Sequence, residues 1–354
     1  MERSDSSRNN NIDLIRIISM VLVVGSHLII KPFSNLPIAS NALFKIFCSA
    51  NCAFFMISGY NNLGVPFSTA TDIKRFYARR AVSILLPYLV MSVALFIWSD
   101  IYSTGSFSIA TFPVSFYKVF MGENFASYCW FMYYLIGLII STPILARAFS
   151  SMSDAELIVI FIVGLIWITF SSYLTAAFGI KFEYKGWVLN SWAFAYYSGY
   201  LIRRVGNMIN SKKLYIIGFF SFVLRVVAIT YFPKNWHFSD ESSILYFLSS
   251  IAAFVFALNH FNIRRSSTIK AVEKVSSISF YVYLVHPAVI TELSPLIRKV
   301  MEKVNHASIV FCIYYVLTLF FSFVIAFVLH YWVFSPVQKK LYKRISEKYP
   351  TVRY

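Results

Sequence analysis

Long apolar stretches recur along the whole sequence and constrain its fold more than any other feature. A helix needs about 20 residues to cross about 30 Å of hydrocarbon, and the stretches are of roughly this length. They lie at about 12–30, 42–60, 80–99, 128–149, 155–176, 187–202, 213–232, 243–261, 275–293 and 308–334. These runs are too long and too continuous for barrel strands, which alternate over about ten residues. The sequence therefore predicts an all-α polytopic membrane protein with about ten transmembrane helices.

The composition supports a membrane protein. Apolar residues make up 58% of the chain and charged residues 13%, against about 45–50% and about 25% in soluble domains. The four cysteines exclude a disulfide framework, and neither a CxxC motif nor a Cys/His zinc spacing occurs, so no metal is predicted. Cys48 and Cys52, one helical turn apart in the second stretch, are interpreted as packing residues.

The basic residues predict the orientation of the chain. With the N-terminus inside, 21 of the 32 Lys and Arg residues lie in cytoplasmic segments and eight in external ones. This bias places both termini in the cytoplasm. The expected organisation is a cytoplasmic tail over 1–11, a transmembrane domain over 12–334 and a basic cytoplasmic tail over 335–354, with an external loop near 100–127. The net charge is +17. The basic residues flank the predicted spans and can attract anionic lipid, and no nucleic-acid partner is expected.

The first stretch carries an unusual set of polar side chains. Asp13, Arg16, Met20 and His27 share one helical face. Arg16 and His27 are about 16 Å apart along the axis. One interpretation is a polar stripe that connects the two sides of the membrane interior. The other is an interfacial ion pair with a histidine at the headgroup level.

A second histidine lies in the ninth stretch. His286 is expected at a depth close to that of His27, and Pro287 follows it directly. Two imidazoles at one depth suit a proton-transfer site because imidazole titrates near neutral pH. Haem ligation is an alternative that nothing else in the sequence supports. Pro287 removes a backbone donor and can kink the helix at this point.

Two further cations lie within the stretches. Arg225, in the middle of the seventh, is too deep to reach water easily. Its predicted partner is an anionic ligand or a carboxylate such as Glu123 or Asp240, and the alternative is a structural arginine that binds backbone carbonyls. Lys45, near the outer end of the second stretch, is interpreted as a side chain that extends to the interface.

The inner end of the second stretch suggests an anion site. A helix break is expected at Ser58 and Gly59, and four cations follow. They are Lys74, Arg75, Arg79 and Arg80. Such cations can hold a phosphate-rich cytoplasmic ligand, although topology alone also requires basic residues at an inner loop.

These features together resemble acyltransferase family 3, whose members are integral membrane enzymes that O-acetylate bacterial surface glycans. The matching pieces are Arg16 followed by His27, the segment 51–60, Arg79 and Arg80 before 87–88, and the segments 130–135 and 283–287. They occur in the family's order over about 12–334. The resemblance implies acetyl-CoA as a co-substrate from the cytoplasm and a glycan acceptor at the outer side.

The resemblance also implies site residues. Arg16 and His27 are expected to be essential, and the basic segment that follows Ser58 is expected to help hold CoA. Family members usually carry an arginine three residues after the position of Arg80, where this chain has Ser83. Arg79, Arg75 or Lys74 is a possible substitute.

A mechanism follows as a hypothesis. His27 acts as general base on a sugar hydroxyl or takes the acetyl group itself. His286, Tyr283 or Arg225 polarises the thioester carbonyl. Trp130 stacks on the sugar or anchors the helix at the interface.

The expected location is the bacterial inner membrane, and the acceptor is a surface polysaccharide such as O-antigen or its lipid-linked precursor. A transporter or flippase for a glycan or small solute is the alternative class, because intramembrane Arg and His also mark transport paths. A non-catalytic partner in glycan assembly is a third possibility. The sequence does not specify the sugar or the oligomeric state.

Overall fold

The computed structural model describes residues 9–30, 39–106, 109–110, 112–113, 117, 130–178, 190–231, 243–261, 263–304 and 306–350. These residues form helices and contain no β-strand. The α-helices are α1 (Asn10–Ile30), α2 (Ala39–Asn62), α3 (Ala70–Arg80), α4 (Leu86–Thr104), α5 (Trp130–Ser151), α6 (Asp154–Phe178), α7 (Ser191–Val205), α8 (Ser211–Tyr231), α9 (Ile244–His260), α10 (Ser266–Lys303), α11 (Ala307–Val328) and α12 (Ser335–Lys348). Two π-helical segments, Ala81–Leu85 and Leu329–Phe334, join α3 to α4 and α11 to α12.

Helix covers most of each of the ten predicted apolar stretches, so the all-α prediction is confirmed for the described residues. Six helical ranges among them are long and apolar enough to cross a membrane. They are Asn10–Leu28, Leu43–Asn62, Ala70–Tyr102, Trp130–Ser151, Ser266–Lys303 and Ala307–Lys348. The count of ten spans and the orientation of the termini stay predictions.

The described residues belong to two units. The first contains α1, α2, α6 to α9 and the part of α10 up to Ser279. The second contains α3, α4, α5, the part of α10 from Phe280 onward, α11 and α12.

In the first unit, helices α2 and α7 cross closely at two glycines. α2 packs against α1 and α7, and α8 packs against α9. A Cβ atom added at Gly59 of α2 would lie 1.7 Å from the carbonyl oxygen of Tyr196, and one added at Gly199 of α7 would lie 2.0 Å from that of Met56. Each glycine thus accommodates the backbone of the other helix, as small residues do where membrane helices touch.

This crossing explains why the predicted break at Ser58 and Gly59 is wrong. α2 continues without interruption from Ala39 to Asn62. Glycine lowers helix propensity, but here it permits contact between backbones instead of ending the helix. The chain leaves the helical conformation only after Asn62.

In the second unit, the C-terminal helix packs on α3. The Nε2 amide of Gln338 in α12 donates a hydrogen bond of 3.0 Å to the carbonyl of Val82, within the first π-helical segment. The guanidinium of Arg75 donates to the carbonyls of Tyr349, at 2.6 Å, and of Pro350. Most of the predicted basic tail is therefore an ordered helix. Basic residues interrupt the apolar residues of α12, so the hydropathy pattern did not predict this helix.

Candidate active site

Arg16 is held by a network that joins α1 to α10. Its Nη1 donates hydrogen bonds of 3.0 Å to Asp13 Oδ1 and 3.0 Å to Ser276 Oγ. Ser276 Oγ donates in turn to Asp13 Oδ1 at 2.6 Å. Asp13 is only 3% exposed, and a buried carboxylate needs this kind of compensation. The network fixes the direction of the guanidinium, whose side chain is 30% exposed.

The predicted face of α1 is turned into the protein. Asp13 and Met20 are buried, and His27 is half-buried in the last turns of the helix. The ring of Phe47 would lie 2.7 Å from a Cβ atom at Gly25, so α2 approaches α1 closely beside His27. Asp13 and Arg16 form an ion pair, and Ser276 is a third member of the network that the sequence analysis missed. The choice between a polar stripe and an interfacial pair stays a prediction.

His286 lies in the interior of the second unit with 0% exposure. Its Nδ1 is 2.7 Å from the carbonyl oxygen of Tyr283 and 3.3 Å from that of Val282. A carbonyl oxygen only accepts, so we assign the ring proton to Nδ1. In the neutral imidazole the lone pair is then on Nε2, which can accept a proton.

Pro287 explains this geometry. In a regular helix the N–H of residue 287 would donate to the carbonyl of Tyr283, and proline has no such donor. The imidazole of His286 supplies the missing hydrogen bond instead. Helix α10 continues through Pro287, so the His-Pro pair fixes the tautomer within an intact helix.

A cluster of aromatic side chains lies next to His286 in the second unit. The rings of Tyr283 and His286 have centroids 5.8 Å apart, and those of Tyr283 and Phe131 are 5.6 Å apart. Phe131 also contacts Trp130, with ring centroids 6.2 Å apart. Three predicted site residues, His286, Tyr283 and Trp130, therefore belong to one aromatic cluster.

Arg225 is buried in the first unit, 1% exposed. Its Nη1 donates to Ser49 Oγ at 3.2 Å and to Ser249 Oγ at 3.0 Å, and the guanidinium carbon lies 4.8 Å from the ring centroid of Tyr246. The two carboxylates named as partners, Glu123 and Asp240, lie outside the described residues. The observed partners are the hydroxyls of Ser49 on α2 and Ser249 on α9 and the aromatic ring of Tyr246 on α9.

The two serines that bind Arg225 also line an open groove of about 360 Å³. Its remaining lining comes from α1, α2, α8 and α9 and is mainly apolar, with Leu22, Phe219 and Phe256 among its residues. An apolar wall of this kind suits hydrocarbon better than a phosphate.

Lys45 is 7% exposed, so the prediction of a side chain that extends to the interface is wrong. It lies on α2, which packs against α1 and α7. Cys48 and Cys52 are free cysteines, half-buried and buried respectively. The hydroxyl of Tyr246 donates a hydrogen bond to the carbonyl of Cys48 and accepts one from the N–H of Cys52.

The four cations after Ser58 occupy different environments on α3. Arg75 binds Asp72 at 3.4 Å and the two carbonyls at the end of α12. The guanidinium of Arg79 lies 5.7 Å from the ring centroid of Tyr342, and that of Arg80 lies 5.4 Å from the ring centroid of Phe76. Lys74 and Arg79 are exposed.

Ser83, where the resemblance implies an additional arginine, lies in the π-helical segment after α3. Such segments are frequent at functional sites. Its half-buried side chain has a buried hydroxyl, which has no hydrogen-bond partner among the residues that the structure describes.

A family model described as an acyltransferase domain matches residues 9–330, nearly the whole chain. The chain belongs to this acyltransferase family, and its apolar helices make it a multi-pass membrane protein. No curated protein and no solved structure gives a significant match.

Proposed function

We propose that this protein transfers an acetyl group from cytoplasmic acetyl-CoA to a hydroxyl of a bacterial surface polysaccharide, such as O-antigen, or of its lipid-linked precursor. The reaction takes place within the membrane domain, at the bacterial inner membrane, with both termini in the cytoplasm. The observation that carries the proposal is the Asp13–Arg16–Ser276 network in a chain of the acyltransferase family. It holds a partly exposed cation in a fixed direction on the same helix as His27.

The chemistry needs one proton to move. The acceptor O–H bond breaks as its oxygen bonds to the acetyl carbon, the C–S bond breaks, and the proton ends on the CoA sulfur. In the simpler mechanism His27 acts as general base on the acceptor hydroxyl. In the alternative His27 takes the acetyl group and passes it to the acceptor, which predicts an acetylated intermediate and ping-pong kinetics.

Donor binding is assigned to cations on α3. Lys74 and Arg79 are exposed there and can meet the phosphates of CoA, with Arg80 beside them. Arg75 is committed to Asp72 and to the end of α12, so it serves as a link within the second unit. Lys74 and Arg79 are therefore the better substitutes for the arginine replaced by Ser83.

The acceptor is assigned to the aromatic cluster of the second unit. Trp130 and Tyr283 offer ring faces with polar edges, and Tyr283 contacts the imidazole of His286. Neutral His286 has its lone pair on Nε2, so it suits a proton acceptor better than a donor that polarises the thioester carbonyl.

The test is acetyl transfer in washed membranes that contain acceptor glycan. Membranes with the original chain, with His27→Ala and with His260→Ala receive acetyl-CoA labelled in the acetyl group. His260 is an exposed histidine that stacks on Phe256, so it is a matched control. We expect label in the glycan with the original chain and with His260→Ala, and background label with His27→Ala at equal protein levels.

Equal label with His27→Ala would remove His27 from the mechanism. No label with any of the three proteins would make transport the better hypothesis.

A further inference from the structure

Three pairs of residues join α12 to α3 and to the π-helical segment that follows α3. From one end of the contact to the other, the pairs are Val82 and Gln338, Arg79 and Tyr342, and Arg75 and Tyr349. The members on each side are spaced by three, four or seven residues, which puts them on one helical face. Residue numbers fall along α3 as they rise along α12, so the two helices run in opposite directions.

The two outer pairs fix α12 beside α3 through backbone carbonyls. Gln338, which is buried, donates its amide N–H to the carbonyl of Val82. The guanidinium of Arg75 donates to the carbonyl that directly follows the other end of α12. The half-buried ring of Tyr342 lies between these two hydrogen bonds, so its place beside α3 is fixed.

The middle pair brings this ring against a cation that still faces solvent. The guanidinium carbon of Arg79 is 5.7 Å from the ring centroid of Tyr342, within the distance of about 6 Å over which a ring face attracts a cation. Arg79 is nevertheless exposed. A ring attracts a guanidinium without occupying its N–H donors as a carboxylate would, so the planar fork of donors can bind phosphate oxygens.

Contact with the ring lowers the entropic cost of binding an anion. An exposed arginine samples many rotamers and loses this freedom when a ligand orders it. An arginine that already lies against a fixed ring has less freedom to lose.

The charge of α12 also suits an anionic ligand. The helix carries five exposed cations and one carboxylate. These residues are Lys339, Lys340, Lys343, Arg344 and Lys348, with Glu347 as the carboxylate. A ligand with several phosphates, such as CoA, is attracted to such a surface.

We propose that Tyr342 is a positioning residue of the donor site, whose ring holds the guanidinium of Arg79 in the direction in which it meets a phosphate of CoA. The inference rests on the proposed function, in which cations of α3 bind the donor. It adds the C-terminal helix α12 to the donor site. Tyr342 acts through Arg79 and needs no contact of its own with CoA.

The first test measures the Kd of CoA by calorimetry with purified protein in nanodiscs of zwitterionic lipid, so that no anionic headgroup competes. We expect Tyr342→Leu to raise the Kd about threefold, the size of an exposed cation–π contact. Tyr342→Met should do the same, because it also removes the ring, and it serves if the leucine variant does not fold. Tyr342→Phe keeps the ring and should bind CoA as the original chain does.

Tyr349→Leu is the matched control on the same segment. The ring of Tyr349 lies 5.6 Å from the ammonium nitrogen of Lys348, so this variant also removes a cation–π contact. Its backbone carbonyl, which binds Arg75, is kept. The Kd of CoA should therefore stay at the original value.

The second test separates positioning from a general effect on the fold. Tyr342→Leu is combined with Arg79→Gln, and the Kd of the double variant is compared with that of Arg79→Gln alone. If the ring acts through Arg79, the two values should be equal, because the effects of coupled residues do not add. A purely structural role of Tyr342 would weaken binding in both backgrounds.

Three results would overturn the inference: an unchanged Kd in Tyr342→Leu, an equal loss of affinity in Tyr342→Phe, or a further loss when Tyr342→Leu is added to Arg79→Gln. In each case the original chain can still transfer acetyl, so the proposed function would stand. The expected pattern of Kd values without acetyl transfer by the original chain would instead reject the proposed function and leave the role of Tyr342 in CoA binding.

Discussion

At the residue scale, the protein compensates the buried charge of Asp13 with fixed partners. Arg16 supplies the opposite charge, and Ser276 binds both. Hydrogen bonds to charged groups contribute about 1.5–3 kcal/mol each. The serine is therefore part of the site even though it has no charge of its own.

Ser276→Ala should destabilise the folded protein by about 1.5–3 kcal/mol, because a charged network loses its hydroxyl. It should also lower acetyl transfer, since Arg16 is less firmly directed. Thermal unfolding in detergent and the transfer rate at saturating acetyl-CoA measure the two effects.

Ser277→Ala is the matched control. Among the described residues, the hydroxyl of Ser277 binds the carbonyl of Lys274 in its own helix, so its removal should change stability by about 0.5 kcal/mol or less. Equal effects of the two alanine substitutions would show that the network does not hold Arg16.

The sequence revealed part of this site. The spacing of Asp13 and Arg16 predicts their ion pair, and Pro287 next to His286 predicts a carbonyl without its helical donor. Ser276 was missed because 263 residues separate it from Asp13, and a serine in an apolar helix carries no signal of its partner. The environment of Arg225 was missed for the same reason, since its partners come from two other helices.

At the element scale, the crossing of α2 and α7 has the least tolerance for change. A Cβ atom at Gly59 would overlap the carbonyl of Tyr196, and neither backbone can move without separating the helices. Ser58, which the sequence associates with donor binding, lies next to this contact.

Gly59→Ala should therefore destabilise the protein by about 3 kcal/mol, at the upper end of the usual cost of overpacking. We expect a lower melting temperature and a smaller monodisperse fraction after purification. Gly137→Ala is the control, because no described atom outside its own helix backbone and chain neighbours lies within 4 Å of a Cβ atom added there. It should stabilise α5 by about 0.5–1 kcal/mol through its helix propensity. A melting temperature for Gly59→Ala equal to that of the original chain would contradict the close crossing.

Helix existence was predictable and helix boundaries were not. Long apolar runs required helices, since a backbone in hydrocarbon must satisfy its own hydrogen bonds. α10 spans Ser266–Lys303, whereas the prediction covered 275–293. Its first two turns are polar and exposed, so hydropathy did not include them. α3 and α12 were missed as helices for the same reason.

At the scale of the whole molecule, we propose that the distribution of charge decides where the donor binds. In this proposal the cations on α3 bind the phosphates of CoA, whereas those before α8 do not. Lys74 and Arg79 are exposed, so their replacement should change ligand binding more than stability.

The double variant Lys74→Gln, Arg79→Gln should raise KM for acetyl-CoA about tenfold, equivalent to about 1.4 kcal/mol, with kcat little changed. This pattern is the signature of lost ground-state binding. The double variant Lys212→Gln, Lys213→Gln removes two exposed cations of the first unit and should leave KM unchanged. Equal KM values in both double variants would show that α3 does not bind the donor.

The central claim is that this chain itself carries out the acetyl transfer. The most direct measurement uses purified protein in lipid nanodiscs, without an ion gradient, together with acetyl-CoA labelled in the acetyl group and a total surface-glycan fraction as acceptor. We predict labelled ester on the glycan with the original chain and background label with His27→Ala. Label no higher with the original chain than in nanodiscs without protein would contradict the claim.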